Sequence, residues 1–156
     1  MGIRLIRFRA WPYIVVCCAL TALVALPGRA DAPPGHFTVA NGLVTDNKTG
    51  LIWQRNDDGT GRSYADAVTY CNALSFGGYS DWRLATIKEL LTLVDESKAS
   101  NAIDLNVFPG GNLQTWSGSP VPSNVNYSFA IDFSGDGSSL NYTVSSTYLH
   151  ARCVRP

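Results

Sequence analysis

Side chains that could carry out chemistry are few in this sequence. It contains four cysteines and two histidines, and neither His36 nor His150 has a partner at the spacing of a zinc site. The sequence contains no motif of a serine nucleophile, a zinc protease or a phosphate-binding loop. Since an enzyme needs a nucleophile, a base or a metal, the sequence predicts a protein without catalytic activity.

An acidic segment is the candidate metal site. Asp132 and Asp136 alternate with Ser and Gly in the segment Asp132–Gly137, and calcium prefers such oxygen ligands. The segment lacks the distal glutamate of an EF-hand loop, and Asp and Gly are also typical of a plain hairpin turn. Calcium is therefore the cofactor to test, with Asp132 and Asp136 as ligands, and the alternative is a turn without metal.

Amides and aromatic rings in the second half of the chain form the candidate ligand surface. Amides can form paired hydrogen bonds with sugar hydroxyls, and aromatic rings can stack on sugar faces. For the tryptophan of this set the alternative is a place in the core. The candidate ligand-binding residues are Asn124, Asn126, Tyr127, Asn141, Tyr142 and Trp116.

The N-terminal segment has the organisation of a secretory signal peptide. Arginines precede an apolar run, Ala10–Leu26, and Ala30 follows a small-residue stretch suited to cleavage. We therefore assign residues 1–30 to a signal peptide, 31–40 to an N-terminal tail and 41–156 to one domain. The protein is expected to be secreted or periplasmic, and it would contact a membrane only through an uncleaved signal.

Export would change the charge and the cysteine count. Removing residues 1–30 leaves 12 − 4 = 8 basic against 12 acidic residues, and this net negative charge disfavours nucleic acid as a partner. Cys71 and Cys153 would then be the two cysteines in an oxidising compartment, where one intramolecular disulfide is possible. The alternative is two unrelated thiols.

The stretch Ser63–Asp95 is expected to position these residues. It predicts two amphipathic helices, because apolar residues recur at helical spacing and capping-box patterns begin at Ser63 and Thr86. The glycine pair Gly77-Gly78 is expected to end the first helix.

Short strands flank the predicted helices, since alternating apolar residues lie between turn signals there. The predicted strands are Phe37–Val39, Leu43–Thr45, Leu51–Gln54, Phe129–Phe133, Leu140–Val144 and Tyr148–Val154. Asn101–Ser128 is rich in Asn, Gly, Pro and Ser and is predicted to be a structured, irregular loop region. The whole pattern fits a single α+β domain.

A set of motifs spans this domain: Gly42–Asp46, Thr49–Trp53, Asp81–Leu84, Trp116-Ser117 and Arg152–Arg155. The set resembles the Lcl C-terminal domain family, a bacterial domain found at the end of a collagen-like adhesin. This resemblance implies a C-type-lectin-like α+β fold, distantly related to the formylglycine-generating sulfatase-modifying enzymes. Such a fold has two helices, a small antiparallel sheet, a long loop region and one disulfide that joins the first helix to the last strand.

The same resemblance implies a non-catalytic module for adhesion or envelope attachment. Its partner would be a glycan or an extracellular or envelope protein, and the oligomeric state stays open. One alternative is a structural or protein-interaction domain without a small ligand. Another is an enzyme related to the formylglycine-generating enzyme, but that enzyme uses a closely spaced cysteine pair, and Cys153 has no such neighbour.

Overall fold

The computed structural model describes residues 35–144 and 146–156. The signal peptide predicted for residues 1–30 and the first four residues of the tail lie outside these ranges. The strands are β1 (Phe37–Ala40), β2 (Leu43–Asp46), β3 (Ile52–Gln54), β4 (Arg83–Leu84), β5 (Gln114–Pro120), β6 (Tyr127–Asp132), β7 (Ser139–Thr143), β8 (His150–Ala151) and β9 (Cys153–Arg155). The helices are α1 (Tyr64–Ala73) and α2 (Ile87–Leu91). Neither described helix is long and apolar enough to cross a membrane.

The first sheet has the strand order β1-β2-β3-β9-β4, all antiparallel. The β1–β2 hairpin turns at Asn41 and Gly42, whose φ angles are 52° and 77°. Two positive φ angles define a type I′ turn, which matches the twist of a tight hairpin. The N-terminal tail predicted for residues 31–40 therefore ends in β1, which forms one edge of this sheet.

The second sheet has the order β7-β6-β5-β8, and β8 pairs with β5 in parallel. The register of β5 shifts between Trp116 and Pro120. Across this irregularity, the hydroxyl of buried Ser128 lies 3.0 Å from the Ser117 carbonyl oxygen and 2.9 Å from that of Ser119. The prediction that Asn101–Ser128 is irregular throughout is therefore wrong: β5 lies inside it, and its Ser and Gly content concealed the strand.

Both helices begin at the predicted caps. The Ser63 hydroxyl accepts a hydrogen bond from the Asp66 N–H at 3.3 Å. Thr86 forms a complete capping box with Glu89, so two backbone groups at the start of α2 are satisfied.

Both helices end earlier than the apolar pattern predicts. Leu74 is extended and ends α1, so Gly77-Gly78 does not cap the helix. The two glycines, with φ angles of 64° and 86°, instead form a two-residue turn between Phe76 and Tyr79, which exchange backbone hydrogen bonds. Helix α2 ends at Leu91, and the periodicity that continues to Val94 places that side chain against the core from a turn.

Two hydrophobic clusters hold the sheets and helices together. The first contains Trp53, Leu90, Phe108 and Phe133, and the second contains Ala67, Trp82, Trp116 and Leu149. A disulfide between fully buried Cys71 and Cys153 lies in the second cluster and joins α1 to β9. Its sequence separation of 82 residues corresponds to roughly 4–5 kcal/mol in the chain-entropy model. The predicted disulfide and the α+β class are confirmed.

Candidate functional site

The turn between β5 and β6 brings three of the predicted ligand-binding residues together. We call residues 121–127 the β5–β6 tip; it contains Asn124, Asn126 and Tyr127. Three backbone hydrogen bonds of 3.1 Å close it, from Val121 N–H to the Tyr127 carbonyl, from Asn124 N–H to the Val121 carbonyl and from Tyr127 N–H to the Asn124 carbonyl. The Asn124 side chain accepts a further hydrogen bond from the Asn126 N–H at 3.0 Å, which makes an Asx turn.

The β5–β6 tip exposes an apolar side chain that the sequence analysis did not select. Val125, between the exposed residues Asn124 and Asn126, is 87 % exposed, and Tyr127, which follows them, is 38 % exposed. No residue of the tip is charged. A partner would therefore be held by apolar contact, ring stacking and amide hydrogen bonds rather than by charge. The sequence feature that could have identified Val125 is a valine flanked by two asparagines within a predicted loop region.

The two candidates on β7 lie in different environments. Asn141 pairs with Phe129 in the sheet register, but its side chain lies outside the described part of the chain. Tyr142 pairs with Ser128 and so shares its face of the sheet, opposite to that of Tyr127. The Tyr142 hydroxyl donates to Gln114 Oε1 at 3.1 Å. The structure therefore separates Tyr142 from Tyr127, because neighbouring strand positions alternate between faces.

Trp116 belongs to the core. Its side chain is fully buried, and its Nε1–H donates to the Arg62 carbonyl oxygen at 2.9 Å. The rings of Tyr64 and Tyr142 pack edge-on against it, with centroids 5.7 Å and 6.2 Å away. The proposal that Trp116 contacts a ligand is corrected here, since the indole has no face open to solvent.

The acidic segment is a turn whose carboxylates bind its own backbone. Asp132 Oδ1 accepts hydrogen bonds from the N–H groups of Ser134 and Gly135, both at 3.0 Å, and from the Ser134 hydroxyl. Its Oδ2 accepts from Gln114 Nε2 at 3.1 Å. Exposed Asp136 accepts from the Ser138 N–H at 3.0 Å.

These hydrogen bonds also set the acidity of the turn. Burial acts to raise the pKa of Asp132, but the hydrogen bonds from Ser134, Gln114 and Gly135 outweigh it and lower the pKa below 3.8. The described residues contain no group of three or more His, Cys, Asp or Glu side chains placed to hold a metal ion. In the structure Asp132 and Asp136 belong to a turn whose N–H groups they bind, and their assignment to calcium stays a prediction.

A polar cluster that the sequence did not predict forms where the loop after β3 meets β8. His150 Nδ1 lies 2.9 Å from Asp57 Oδ1, although the two residues are 93 positions apart. The same oxygen accepts the Gly59 N–H at 2.6 Å. Sequence alone shows each residue but not the pairing, since β8 and the loop are distant in the chain. The contact fixes the loop to β8, and the described residues contain no group of three or more His, Cys, Asp or Glu side chains that could hold a metal beside the imidazole.

Arg152 lies next to this cluster as a buried cation. It is 3 % exposed, and its guanidinium lies 4.9 Å above the Phe108 ring. Nη1 makes two long contacts, 3.4 Å to the Gln54 carbonyl and 3.5 Å to that of Arg55, and the buried Nε has no partner in the described residues. Burial lowers the pKa of Arg152 to about 10, whereas the charge of Asp57 acts to raise it. Arg152 thus ties the end of β3 to the Phe108 segment.

Comparison with known proteins agrees with the motifs read from the sequence. A search of curated proteins finds no match for the chain. The Lcl C-terminal domain family matches residues 42–155. This range contains all the strands and helices described here except β1. The chain belongs to the Lcl C-terminal domain family.

Proposed function

We propose that this protein is an exported, non-catalytic binding module that holds a glycan or a protein surface through the β5–β6 tip. One observation carries the proposal: Val125 and Tyr127 are 87 % and 38 % exposed in a turn that also presents two asparagines. Loops on rigid scaffolds commonly carry recognition. Adhesion or attachment to the cell envelope is the role that such a module would serve.

The base of the tip is rigid, which reduces the entropic cost of binding. Ser128 is buried at the start of β6 and spans the irregular part of β5 with its hydroxyl. Val144 N–H donates to the Asn126 carbonyl at 3.0 Å, which adds a contact from the end of β7. Side chains on a pre-ordered turn lose less freedom on binding than those on a flexible loop.

The shape of the tip favours a macromolecular partner. A turn whose central valine is almost fully exposed is convex, whereas small-molecule sites are concave pockets. A convex apolar-amide surface suits the groove of a protein or the length of a polysaccharide chain. The tip is therefore proposed to bind an extended glycan or a protein and not a free monosaccharide.

Absence of catalysis and export are also part of the proposal. Cys71 and Cys153 are joined in a disulfide, so neither is a free thiol for the chemistry of formylglycine formation. A buried disulfide is typical of exported proteins. Both features support a binding module outside the cytoplasm.

The test is an array of purified polysaccharides and envelope proteins, probed with the protein in calcium and in chelator. The tip variant is Tyr127→Ala, and the matched control is Tyr148→Ala, since Tyr148 is 68 % exposed but lies outside the tip. We expect a saturable signal that survives chelator, falls at least about fivefold in Tyr127→Ala and persists in Tyr148→Ala. A blank array with folded protein, or equal loss in both variants, would contradict the proposal.

A further inference from the structure

Among the residues that the structure describes, strand β1 is an open sheet edge, and its own sequence has no feature that prevents pairing with another strand. Its residues are Phe-Thr-Val-Ala, without charge, proline or bulge, and Val39 is 43 % exposed. Within the described ranges no strand lies beyond β1. Natural proteins usually protect such an edge with lysine, proline or a bulge, because its free N–H and C=O groups can pair with another strand.

The register of the β1–β2 hairpin shows which backbone groups face outward. Asn47 N–H donates to the His36 carbonyl at 2.9 Å, and Thr38 and Ala40 lie opposite Thr45 and Leu43. Hydrogen-bonded pairs alternate along an antiparallel ladder, so the inward pairs are at positions 36, 38 and 40. The N–H and C=O groups of Phe37 and Val39 therefore point away from β2.

We propose that two copies of this chain pair through β1 in an antiparallel dimer. With a two-fold axis at Thr38, Phe37 of one copy lies opposite Val39 of the second copy, and the reverse pair forms by symmetry. Each pair exchanges two backbone hydrogen bonds, so the edge is complementary to itself without any change of register. The two first sheets then continue as one sheet of ten strands.

Side chains and charges along the edge are compatible with this pairing. Val39 and Phe37 occupy the same face of β1, where Phe37 packs edge-on against Phe108 with centroids 5.6 Å apart. The second copy's Val39 would therefore extend an apolar surface that is already half-buried. Strand β1 itself brings no charge to the pairing. His36, which directly precedes it, lies 3.2 Å from Asp46 of its own chain.

The size of the edge sets the expected affinity. Four residues on each side bury less than the standard interface of about 1,600 Å². A dissociation constant of about 10 μM to 1 mM is therefore expected, in the range of transient association. A dimer would also present two β5–β6 tips and so raise the avidity of a weak binding module, although the pairing itself does not depend on the proposed function.

Sedimentation equilibrium of the protein expressed from its full sequence tests the dimer. The first variant is Val39→Pro, which removes an outward N–H and leaves the β1–β2 ladder bonds in place. The matched control is Val39→Thr, which keeps both the N–H and the branched shape. We expect Val39→Pro to weaken association at least about tenfold and Val39→Thr to leave it within about threefold.

Cysteine cross-linking tests the register and does not depend on how proline is tolerated. At the two-fold axis the two Thr38 residues form a non-hydrogen-bonded pair, about 4.5 Å apart between Cα atoms, which suits a disulfide. The two Ala40 residues would be about 13 Å apart along the strands. Under mild oxidation we expect Thr38→Cys to form a covalent dimer at least about tenfold faster than Ala40→Cys.

Three outcomes would overturn the proposal. One is a protein that stays monomeric up to about 1 mM, which is the weakest dissociation constant expected for an interface of this size. This outcome includes a monomer in which β1 pairs with a strand of a different protein. Another is a dimer whose affinity Val39→Pro does not change. The third is equal cross-linking of the two cysteine variants, which would exclude this register.

Discussion

Strand β6 has a polar turn at each end, and the two turns use their polar residues in different ways. At its C-terminal end lies the β6–β7 turn (Phe133–Ser138). The Asp132 carboxylate accepts hydrogen bonds from N–H groups of this turn and from Gln114. At its N-terminal end, the β5–β6 tip is closed by backbone hydrogen bonds and one Asx turn, and it leaves Val125 and Tyr127 exposed. The first turn contains Ser, Gly and Asp, and the tip contains Pro, Ser and Asn. All of these residues are typical of turns, so composition alone does not predict which turn is packed on the core.

Their surroundings explain the difference. The β6–β7 turn is docked on the segment after α2, because Ala102 N–H donates to the Phe133 carbonyl at 2.9 Å and Asn101 N–H to that of Ser134 at 3.2 Å. Phe133 is fully buried beneath it. A polar turn that is packed on the core therefore uses its side chains for stability. A turn that projects from the sheet can present them to a partner.

The largest effect is expected from filling the space at Gly137. Its φ angle is +81°, and a Cβ there would lie 2.5 Å from Val94 Cγ1 and 3.2 Å from Ala102 Cβ. Gly137→Ala should lower the free energy of unfolding by about 3 kcal/mol, measured by urea denaturation, because strain and overlap add. Gly59→Ala is the matched control: its φ is +74° in open space, so about 1 kcal/mol is expected. Equal losses would mean that the β6–β7 turn is not packed as described.

A smaller loss is expected from removing the Asp132 carboxylate. Asp132→Ala leaves the N–H groups of Ser134 and Gly135 without their acceptor, at a cost of about 2 kcal/mol. Asp136→Ala, at an exposed position with one backbone contact, should change stability within experimental error. Thermal unfolding should show the same midpoint with calcium and with chelator in the unmodified protein. A calcium-dependent rise that Asp132→Ala abolishes would support the predicted calcium site.

The pH dependence of stability should report the same carboxylate. The folded pKa of Asp132 lies below the ordinary value of 3.8. Its contribution is therefore present above pH 3.8 and is lost as the pH falls through the folded pKa. In urea unfolding from about pH 6 to pH 2, Asp132→Asn should lose less stability at low pH than the unmodified protein. The difference between the two curves isolates Asp132 from the other carboxylates, and parallel curves would contradict this role.

The sequence predicts the frame of this fold better than its second sheet. Ser63 and Thr86 cap the helices because capping is a local interaction of side chain and backbone. The disulfide joins the two cysteines that lie outside the predicted signal peptide. Strand β5 escapes prediction, because its pairing with β6 and with distant β8 supplies what its serines and glycines do not. The ends of α1 and α2 are also set by packing and not by periodicity.

The candidate site also shows that sequence predicts local contacts better than contacts between distant segments. Asn124, Asn126 and Tyr127 come together because they are sequence neighbours in one turn. Tyr142 and Trp116 come together with each other, inside the second cluster, and not with the tip. The pairing of Asp57 with His150 depends on the approach of two distant segments, and no local pattern encodes it.

The smallest change in stability is expected at the centre of the β5–β6 tip. Val125 is 87 % exposed, so Val125→Ser removes almost no packing, and the free energy of unfolding should change by about 0.5 kcal/mol or less. Binding on the polysaccharide and protein array should nevertheless fall at least about threefold, because the apolar contact with the partner is lost. A loss of stability as large as that of Asp132→Ala would show that the tip is packed like the β6–β7 turn. The contrast between the two turns would then fail. Unchanged binding with unchanged stability would keep the contrast in packing and move recognition away from Val125.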